Sequence, residues 1–243
     1  MRLSLLADLN AERAARRLAV LVTDIATGDQ RLIKVAEVGS DPLAPLFAEA
    51  LAAGESSLVA VGGRPRLFFN IVMPPPRLLV TGAVHISQAL VPMARLLGYD
   101  VVIIDPRAAF ATADRFPNAE LVAEWPDTAL ARLGLDRRTA VMALTHDPKI
   151  DDPCLMAALA SGVFYVGALG SRRTHAKRVE RLKAAGFGDG DIARVHAPIG
   201  LDLGAQSPAE IALAILAEVT ATLRRAGRRP ERRPGADVAE PAS

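Results

Sequence analysis

The residues best suited to chemistry lie in five short loops, and each loop directly follows an apolar run typical of a buried strand. Parallel strands end at one common edge of a sheet, where α/β proteins bind their ligands. We therefore expect the five loops to form one composite site. The loops comprise residues 82–87, 105–107, 145–149, 167–175 and 200–204.

Residues 77–107 have the layout of a dinucleotide-binding βαβ unit. An apolar run leads into a turn at Gly82, a helical pattern, and a second apolar run that ends on Asp105. The start of such a helix presents free N–H groups to a phosphate, and an acid about 20 residues after the turn accepts ribose hydroxyls. Gly82, His85 and Asp105 are therefore candidate cofactor-binding residues, together with Arg107 beside the acid.

The glycine fingerprint of this unit is incomplete. The pattern Gly-x-Gly-x-x-Gly would place Gly at 84 and Gly or Ala at 87, but the chain has Val84 and Ser87. Ser87 is small enough for close packing of the helix on the strand, whereas the side chain of Val84 is expected where a pyrophosphate would approach. Two interpretations stay open: a working nucleotide-type site, or a Rossmann unit that keeps its fold and has lost its ligand.

Loop 167–175 is the strongest indication of an anion site. Ser171 is placed to cap a helix, which puts Arg172 and Arg173 in the first turn, where positive charge opposes the helix dipole. Two arginines there favour an anion bound between them; the alternative is that they face water or pair with carboxylates such as Asp147 or Asp202. The candidate residues of this loop are Gly167, Gly170, Ser171, Arg172, Arg173 and His175.

The loop after the preceding strand contains His146 and Asp147, which are further candidate cofactor-binding residues and could also bind a metal or move protons. No second histidine lies nearby in the sequence, so we predict no metal site. The alternative is a polar loop in which Asp151 or Asp152 caps the next helix. His85 likewise could donate to a ligand phosphate or hydrogen-bond within its own loop.

The order of apolar patterns predicts the fold class. Between residues 77 and 225, apolar runs alternate with helical patterns, which predicts an α/β fold with a Rossmann-like, doubly wound, mostly parallel sheet. Residues 1–73 predict a small α+β N-terminal segment, and the prolines at 74–76 predict a stiff linker. Residues 226–243 are rich in arginine and proline and are expected to form a disordered tail.

Composition and charge exclude several classes of protein. The net charge is +2 over 243 residues and the positive excess lies in the tail, so no nucleic-acid partner is predicted. The single cysteine, Cys154, allows no intrachain disulfide and suits a reducing cytoplasm, which is the expected location. The longest uncharged stretch contains several polar residues and a proline, so no membrane span is predicted.

Four ordered motifs resemble the XdhC/CoxI family, the maturation proteins of xanthine dehydrogenase and aerobic carbon monoxide dehydrogenase. The motifs are PPPRLLVTGAVHISQALVPMARLLGYDVVIIDPR, LTHDPKIDDP, FYVGALGSRRTHAKRVERL and APIGLDLGAQSPAEIALAILAEV. The resemblance covers residues 74–219 and implies a Rossmann domain that handles the molybdenum cofactor, as molybdopterin or its dinucleotide form. Such proteins are thought to hold the cofactor, help its sulfuration and pass it to the apoenzyme.

The resemblance implies a cofactor chaperone that carries its ligand as cargo and has no turnover chemistry of its own. The implied partners are an apo molybdenum hydroxylase and a cysteine desulfurase, and a homo-oligomer is expected. The family commonly has Gly at the position of Val84. Full-length members also carry an N-terminal domain with an Arg-x-Gly-Ser-x-Pro-Arg motif and a Gly-rich cysteine motif. Neither occurs in residues 1–73 and Cys154 does not replace that cysteine, so a short-form member is expected.

Two functions of other classes compete with this interpretation. The first is an NAD(P)-dependent oxidoreductase, against which Val84 and the lack of an identifiable catalytic acid both argue. The second is a non-catalytic interaction protein whose nucleotide site is vestigial. Retention of the molybdenum cofactor would distinguish the chaperone from the oxidoreductase and from the interaction protein. Nicotinamide binding would distinguish the oxidoreductase from the interaction protein.

Overall fold

The computed structural model describes residues 2–61 and 64–226, and the chain divides into two compact units. Among the described residues, one unit contains Leu18–Val72, and the other contains Met73–Leu223 together with Asn10–Arg17. The glycines at 62 and 63 and almost all of the predicted tail lie outside the described residues.

The smaller unit is built on an antiparallel sheet, in which the strands follow the order β2-β1-β4-β3. Its strands are β1 (Ala19–Asp24), β2 (Gln30–Lys34), β3 (Ser57–Val61) and β4 (Arg64–Val72). Helix α2 (Ala44–Ala53) packs here through Phe47, whose ring stacks on Phe69 with 4.7 Å between centroids. This arrangement confirms the expected small α+β segment.

The charged run at residues 12–17 predicts a helix, and helix α1 (Leu3–Ala14) begins well before that run. Its end lies within the larger unit, where Arg16 donates from Nε to Asp136 at 2.8 Å and from Nη2 to the carbonyl of Pro75 at 3.1 Å. The prolines at 74–76 also predict that residues 77–225 fold without the N-terminal segment, and this stays a prediction. A fragment of that length would lack these two contacts.

The larger unit is a six-stranded sheet in the order β10-β9-β8-β5-β6-β7, with all neighbouring pairs parallel. The order reverses between β5 and β8, which is the pattern of a doubly wound Rossmann sheet, and the predicted fold class is confirmed. The strands are β5 (Arg77–Thr81), β6 (Asp100–Ile104), β7 (Glu120–Val122), β8 (Thr139–Ala143), β9 (Tyr165–Ala168) and β10 (Val195–His196).

Six helices complete the unit in the described part of the chain. They are α3 (His85–Leu96), α4 (Pro126–Leu133), α5 (Pro148–Leu159), α6 (Arg172–Ala184), α7 (Asp189–Ile192) and α8 (Pro208–Ala226). Of these, the short helix α7 was not predicted.

Successive side chains of β5 pack into two different apolar layers, one on each face of the sheet. Leu78 and Val80 pack with residues of α3 and α8, whereas Leu79 packs with residues of α4, α5 and α6. Successive side chains of a strand point to opposite faces, so a strand that is apolar throughout is covered on both sides. One layer of helices thus covers each face of the sheet, and the loops that follow the strands lie at its edge.

A serine followed three residues later by a glutamate predicts a helix start at Ser207, and Ser207 and Glu210 do form a reciprocal cap on α8. The backbone N–H of Ser207 donates to Glu210 at 2.9 Å, and that of Glu210 donates to Ser207 Oγ at 3.3 Å. The last strand is shorter than predicted and ends at His196 instead of residue 199. The chain after it contains Pro198, which has no N–H to give to a ladder.

Candidate functional site

All five loops of the predicted composite site follow strands of the parallel sheet, so they lie at its carboxyl edge. Gly82 brings two of them together across the point where the strand order reverses. A Cβ at Gly82, whose φ is +116°, would lie 2.9 Å from Thr145 Cγ2 and 3.3 Å from the carbonyl carbon of Leu144. Glycine is therefore required here by the backbone and by the neighbouring loop alike.

The turn from β5 into α3 is held by small polar groups. The hydroxyl of Ser87, which is fully buried, donates to the carbonyl of Gly82 at 2.6 Å. Val84 occupies the position before the helix in an extended conformation, with φ −102°, and packs against the apolar layer beneath it. His85 is exposed at the first position of α3. Valine offers no side-chain cap, so the first N–H groups of this helix depend on water or a ligand.

Asp105 is fully buried and its carboxylate is surrounded by donors from the protein itself. Oδ2 accepts from the N–H of Ala83 at 2.9 Å and from Arg107 Nη2 at 2.8 Å, while Oδ1 accepts from Arg107 Nε at 2.9 Å. Burial alone would raise the pKa of Asp105, but these hydrogen bonds outweigh it and hold the pKa below its ordinary value. Both oxygens are thus engaged by the loop, and a ribose hydroxyl would have to compete with Arg107 for them.

The sequence pattern predicts a helix over residues 152–160, but α5 begins four residues earlier, at Pro148, and Asp147 caps it. Its Oδ1 accepts from the N–H of Lys149 at 3.0 Å, and Pro148 takes the first helical position, where its missing N–H costs nothing. The prediction that Asp151 or Asp152 caps this helix is wrong. Both lie inside it, because the earlier Asp-Pro pair is the stronger start signal.

Asp151 instead ties the helix back to the preceding loop. Its carboxylate accepts from the hydroxyl of Thr145 at 2.6 Å and from the N–H of His146 at 3.0 Å. Burial raises the pKa of Asp151 despite these bonds. His146 adopts the left-handed backbone conformation, with φ +66°. Few residues other than glycine adopt this backbone conformation.

The start of α6 is capped as predicted, since Ser171 Oγ accepts from the N–H of Thr174 at 3.2 Å. Arg172 and Arg173 follow at the first two helical positions and are both exposed. Within the described ranges neither guanidinium forms an ion pair with Asp147 or Asp202, the two carboxylates that the alternative interpretation named. The two charges therefore stay unbalanced at the positive end of a helix.

The remaining residues of this loop differ in their surroundings. A Cβ on Gly167 would collide with Ile199 Cδ1 at 2.5 Å, so this glycine makes room for packing inside the sheet. Gly170 has a φ of +133° and turns the chain into α6. His175 is half-buried, and burial followed by the charge of Arg178 lowers its pKa, so its imidazole is neutral near pH 7.

A cavity of about 280 Å³ opens beside the start of α6, and we call it the α6 cavity. Of the predicted site residues only His146 and Arg173 line it. The other polar residues that line it from the helix were not predicted from the sequence. The missed signal was the helical spacing of cations at positions 173, 177 and 181, which places them on one face. The lining residues not predicted as part of a site are Pro148, Asp151, Thr174, Lys177, Arg178 and Arg181.

The part of the chain that the structure describes contains neither a metal-binding cluster of side chains nor a membrane-spanning helix. No cluster of three or more His, Cys, Asp or Glu side chains is arranged to hold a metal ion there. No helix there is both long and apolar enough to cross a lipid bilayer.

The sequence of this unit matches the model of the XdhC Rossmann domain over residues 78–219. The chain belongs to the XdhC family. Every residue predicted for the composite site falls inside the matched range, so the candidate site belongs to the XdhC domain itself.

Three curated relatives share part of this sequence. The molybdenum cofactor insertion chaperone PaoD of Escherichia coli K12 is 33% identical over 169 residues, which is 67% of this chain. A probable component of xanthine dehydrogenase from Bacillus subtilis 168 and the uncharacterised protein YqeB of E. coli K12 are each 30% identical over 65% of it. The chain spans 47%, 46% and 29% of the lengths of these relatives, respectively.

A solved structure shares the fold of the XdhC unit and of most of the remaining chain. It is a xanthine dehydrogenase from Bacillus halodurans, with a TM-score of 0.69 and 23% sequence identity. The match covers 94% of this chain and 66% of that one. At this identity the likeness concerns the fold.

Proposed function

We propose that this chain is a chaperone that binds the molybdenum cofactor and helps to mature and deliver it to a molybdenum hydroxylase of the xanthine dehydrogenase or carbon monoxide dehydrogenase type. Membership of the XdhC family supports this function, as does the relative named as a molybdenum cofactor insertion chaperone. The cofactor is cargo in this scheme, so the residues of the site hold and orient it without a turnover step.

The observation that carries the proposal is the unbalanced charge of Arg172 and Arg173 at the carboxyl edge of the sheet. Both are exposed, both stand at the start of α6, and neither pairs with Asp147 or Asp202. Two cations that oppose a helix dipole without a carboxylate partner are stabilised when an anion binds between them. Molybdopterin carries a phosphate and its dinucleotide form a pyrophosphate, so either form supplies that anion.

The loop before α3 adds a second set of donors on the same edge. Val84 gives α3 no side-chain cap, so the first N–H groups of that helix are open to an anion, and His85 is exposed beside them. Asp105 and Arg107 hold this loop in place through Ala83. Their role in the proposed site is to position the loop.

The client is an apo molybdenum hydroxylase, to which the loaded chain passes its cargo. A cysteine desulfurase that supplies sulfur, and association of the chain with itself, are further predictions of the same scheme. They concern contacts between separate chains and are tested by co-purification and by molar mass in solution.

The test is retention of the cofactor. The chain is incubated with molybdenum cofactor and passed over a gel-filtration column, and the protein peak is analysed for molybdenum and for pterin. Wild type is expected to retain both, and Arg172→Ala/Arg173→Ala is expected to lose them. Removing one charge-assisted phosphate bond costs about 1.5–3 kcal/mol, or about ten- to a hundredfold in affinity.

The matched control is Arg224→Ala/Arg225→Ala, which removes two adjacent exposed arginines from the far end of α8. It should retain cofactor like wild type, because these residues lie at the C-terminus of α8, where a positive charge complements the helix dipole and needs no bound anion. A wild-type peak free of pterin and molybdenum would contradict the proposal. Loss of cofactor from the control as well would show that overall charge, and not the start of α6, governs retention.

A further inference from the structure

The guanidinium of Arg178 is buried and has donors without acceptors. Arg178 lies in the second turn of α6, and only 2% of its surface is exposed. Its Nη2 donates to the carbonyl of Leu169 at 2.9 Å, while its buried Nε and Nη1 have no hydrogen-bond partner among the described residues. Buried polar groups are nearly always satisfied, so a charged group with two open nitrogens calls for an explanation.

The neighbouring acids do not satisfy this group, because each is engaged elsewhere. Asp152 pairs with Arg181, whose Nη2 lies 3.0 Å from Oδ1. Asp151 accepts from the N–H and the hydroxyl of Thr145. Burial lowers the pKa of Arg178, and the charges of Asp151 and Asp152 oppose that shift without cancelling it. The free chain therefore keeps a buried cation that lacks its own counterion.

Arg178 lines the α6 cavity, and the charge of that cavity is positive. Four cations of one helix face it, and Asp151 is the acid among its lining residues. After Asp151 and the Arg181–Asp152 pair are taken into account, two positive charges remain, which is the charge that a phosphate dianion would balance. The four cations are Arg173, Lys177, Arg178 and Arg181.

We propose that the α6 cavity is a binding site for a phosphate group, with Arg178 as its buried anchor and Arg173 and Lys177 as cations at its mouth. A guanidinium presents its donors in a planar fork that matches the oxygens of phosphate. The volume of about 280 Å³ admits such a group and is too small to enclose a whole dinucleotide. Arg172 does not line the cavity, so it is not part of this phosphate site.

Two sources share this chemistry: free inorganic phosphate and the terminal phosphate of the cofactor. Only the second rests on the proposed function. The tests of the two sources are kept apart, so that a chain that retains no cofactor still gives a result for the cavity.

The first experiment uses inorganic phosphate alone, added to the full chain in a phosphate-free buffer, with calorimetric titration and melting temperature as readouts. Wild type should bind phosphate and melt at a higher temperature in its presence. Arg178→Met should melt no lower than wild type without phosphate, because it removes a buried cation whose Nε and Nη1 have no hydrogen-bond partner among the described residues, and it should not respond to phosphate.

A second variant keeps the charge and removes the fork. Arg178→Lys should bind phosphate about tenfold more weakly than wild type, since an ammonium group cannot reproduce the planar set of donors. The matched control is Arg194→Met. Arg194 donates to the carbonyls of Leu159 at 2.8 Å and Ser161 at 3.0 Å, so its loss should lower the melting temperature and leave phosphate binding unchanged.

The second experiment assigns the source. If the cofactor's phosphate occupies the cavity, inorganic phosphate at about 10 mM should reduce cofactor retention by wild type, and Arg178→Met should retain less cofactor. If phosphate binds without affecting retention, the cavity takes a free anion. The proposal is overturned if wild type shows no saturable phosphate binding, or if Arg178→Met and Arg178→Lys bind phosphate as tightly as wild type.

Discussion

The guanidinium of Arg107 donates hydrogen bonds to both carboxylate oxygens of Asp105, from Nε to Oδ1 at 2.9 Å and from Nη2 to Oδ2 at 2.8 Å. Asp105 is fully buried, and it also accepts from the backbone N–H of Arg107 at 3.0 Å and from the N–H of Ala83 in the neighbouring loop at 2.9 Å. The acid that the sequence placed at the ribose position therefore joins the ends of β5 and β6. This relationship makes Asp105 first of all a stabiliser of the candidate site.

Replacement of Asp105 by Asn should destabilise the protein. The change removes the charge that four N–H donors share, and we expect a loss of about 2–3 kcal/mol in the free energy of unfolding, moderated because Arg107 reaches solvent. Chemical denaturation measures it. Asp114→Asn at an exposed position is the control and should stay within about 0.5 kcal/mol of wild type. An equal effect of the two substitutions would mean that the buried pair contributes nothing.

Nicotinamide dinucleotides should bind poorly. Val84 stands where the fingerprint has glycine, and the oxygens of Asp105 that would receive the ribose are already bonded to Arg107 and Ala83. Calorimetric titration with NAD and NADP should show no saturable binding up to about 1 mM, a concentration that corresponds to about 4 kcal/mol of binding free energy. Tight binding by wild type would restore the oxidoreductase interpretation, and binding gained by Val84→Gly would identify the valine as the obstacle.

Arg172→Ala/Arg173→Ala should fold at least as well as wild type without ligand. The two charges oppose the dipole of α6, and each such charge costs about 0.3–1 kcal/mol. We therefore expect an unchanged or slightly higher melting temperature together with loss of cofactor retention. The opposite pair of results, a lower melting temperature with normal retention, would make these arginines structural and move the anion site elsewhere.

Cys154 should be chemically silent in the folded protein. It is fully buried, and burial raises the pKa of its thiol to about 12, although Thr81 Oγ1 donates to Sγ at 3.1 Å. At pH 8 about one molecule in ten thousand would carry the thiolate, so a thiol reagent should react only after denaturant is added. Fast reaction of the native chain would show that this part of the core opens readily.

The same shift predicts a loss of stability in alkali. A thiol held protonated in the fold contributes fully below its unfolded pKa of about 9, and its contribution declines as the pH rises toward the folded value of about 12. The advantage of wild type over Cys154→Ala should therefore shrink above pH 9, by up to about 1.4 kcal/mol per pH unit. Denaturation at pH 8 and pH 10 measures it, and a constant difference would contradict the shift.

Glu218 should stabilise the protein, because its carboxylate has three hydrogen-bond partners. Its carboxylate accepts from Tyr165 Oη at 2.6 Å and from the N–H of Gly200 at 2.8 Å, and its other oxygen lies 2.9 Å from His196 Nδ1. Glu218→Gln should lower the free energy of unfolding by about 2–4 kcal/mol, because charge-assisted bonds are replaced within a partly buried site. The control is Glu180→Gln on an exposed face of α6, which should have little effect.

Features that depend on neighbours along the chain could be predicted from the sequence. The alternation of apolar runs with helical patterns determined the Rossmann sheet, and the parallel order of its strands then placed the five loops at one edge. The caps at Ser171 and Ser207 were also correct. A cap is formed by a residue and the helix that immediately follows it, so its signal is local.

Contacts between distant segments were decided by the tertiary structure alone. Gly167 lies so close to Ile199 that a side chain there would collide with it. The carboxylate of Asp105 accepts hydrogen bonds from Arg107 and Ala83, so it is not a free acceptor for a ligand. Arg178 gave no local signal at all, since an arginine in the middle of a helix is usually solvated. Its burial depends on how α6 packs against α5 and against the chain after β9, where Leu169 accepts its one hydrogen bond. The spacing of residues along one helix does not encode which of its charges will be buried with open donors.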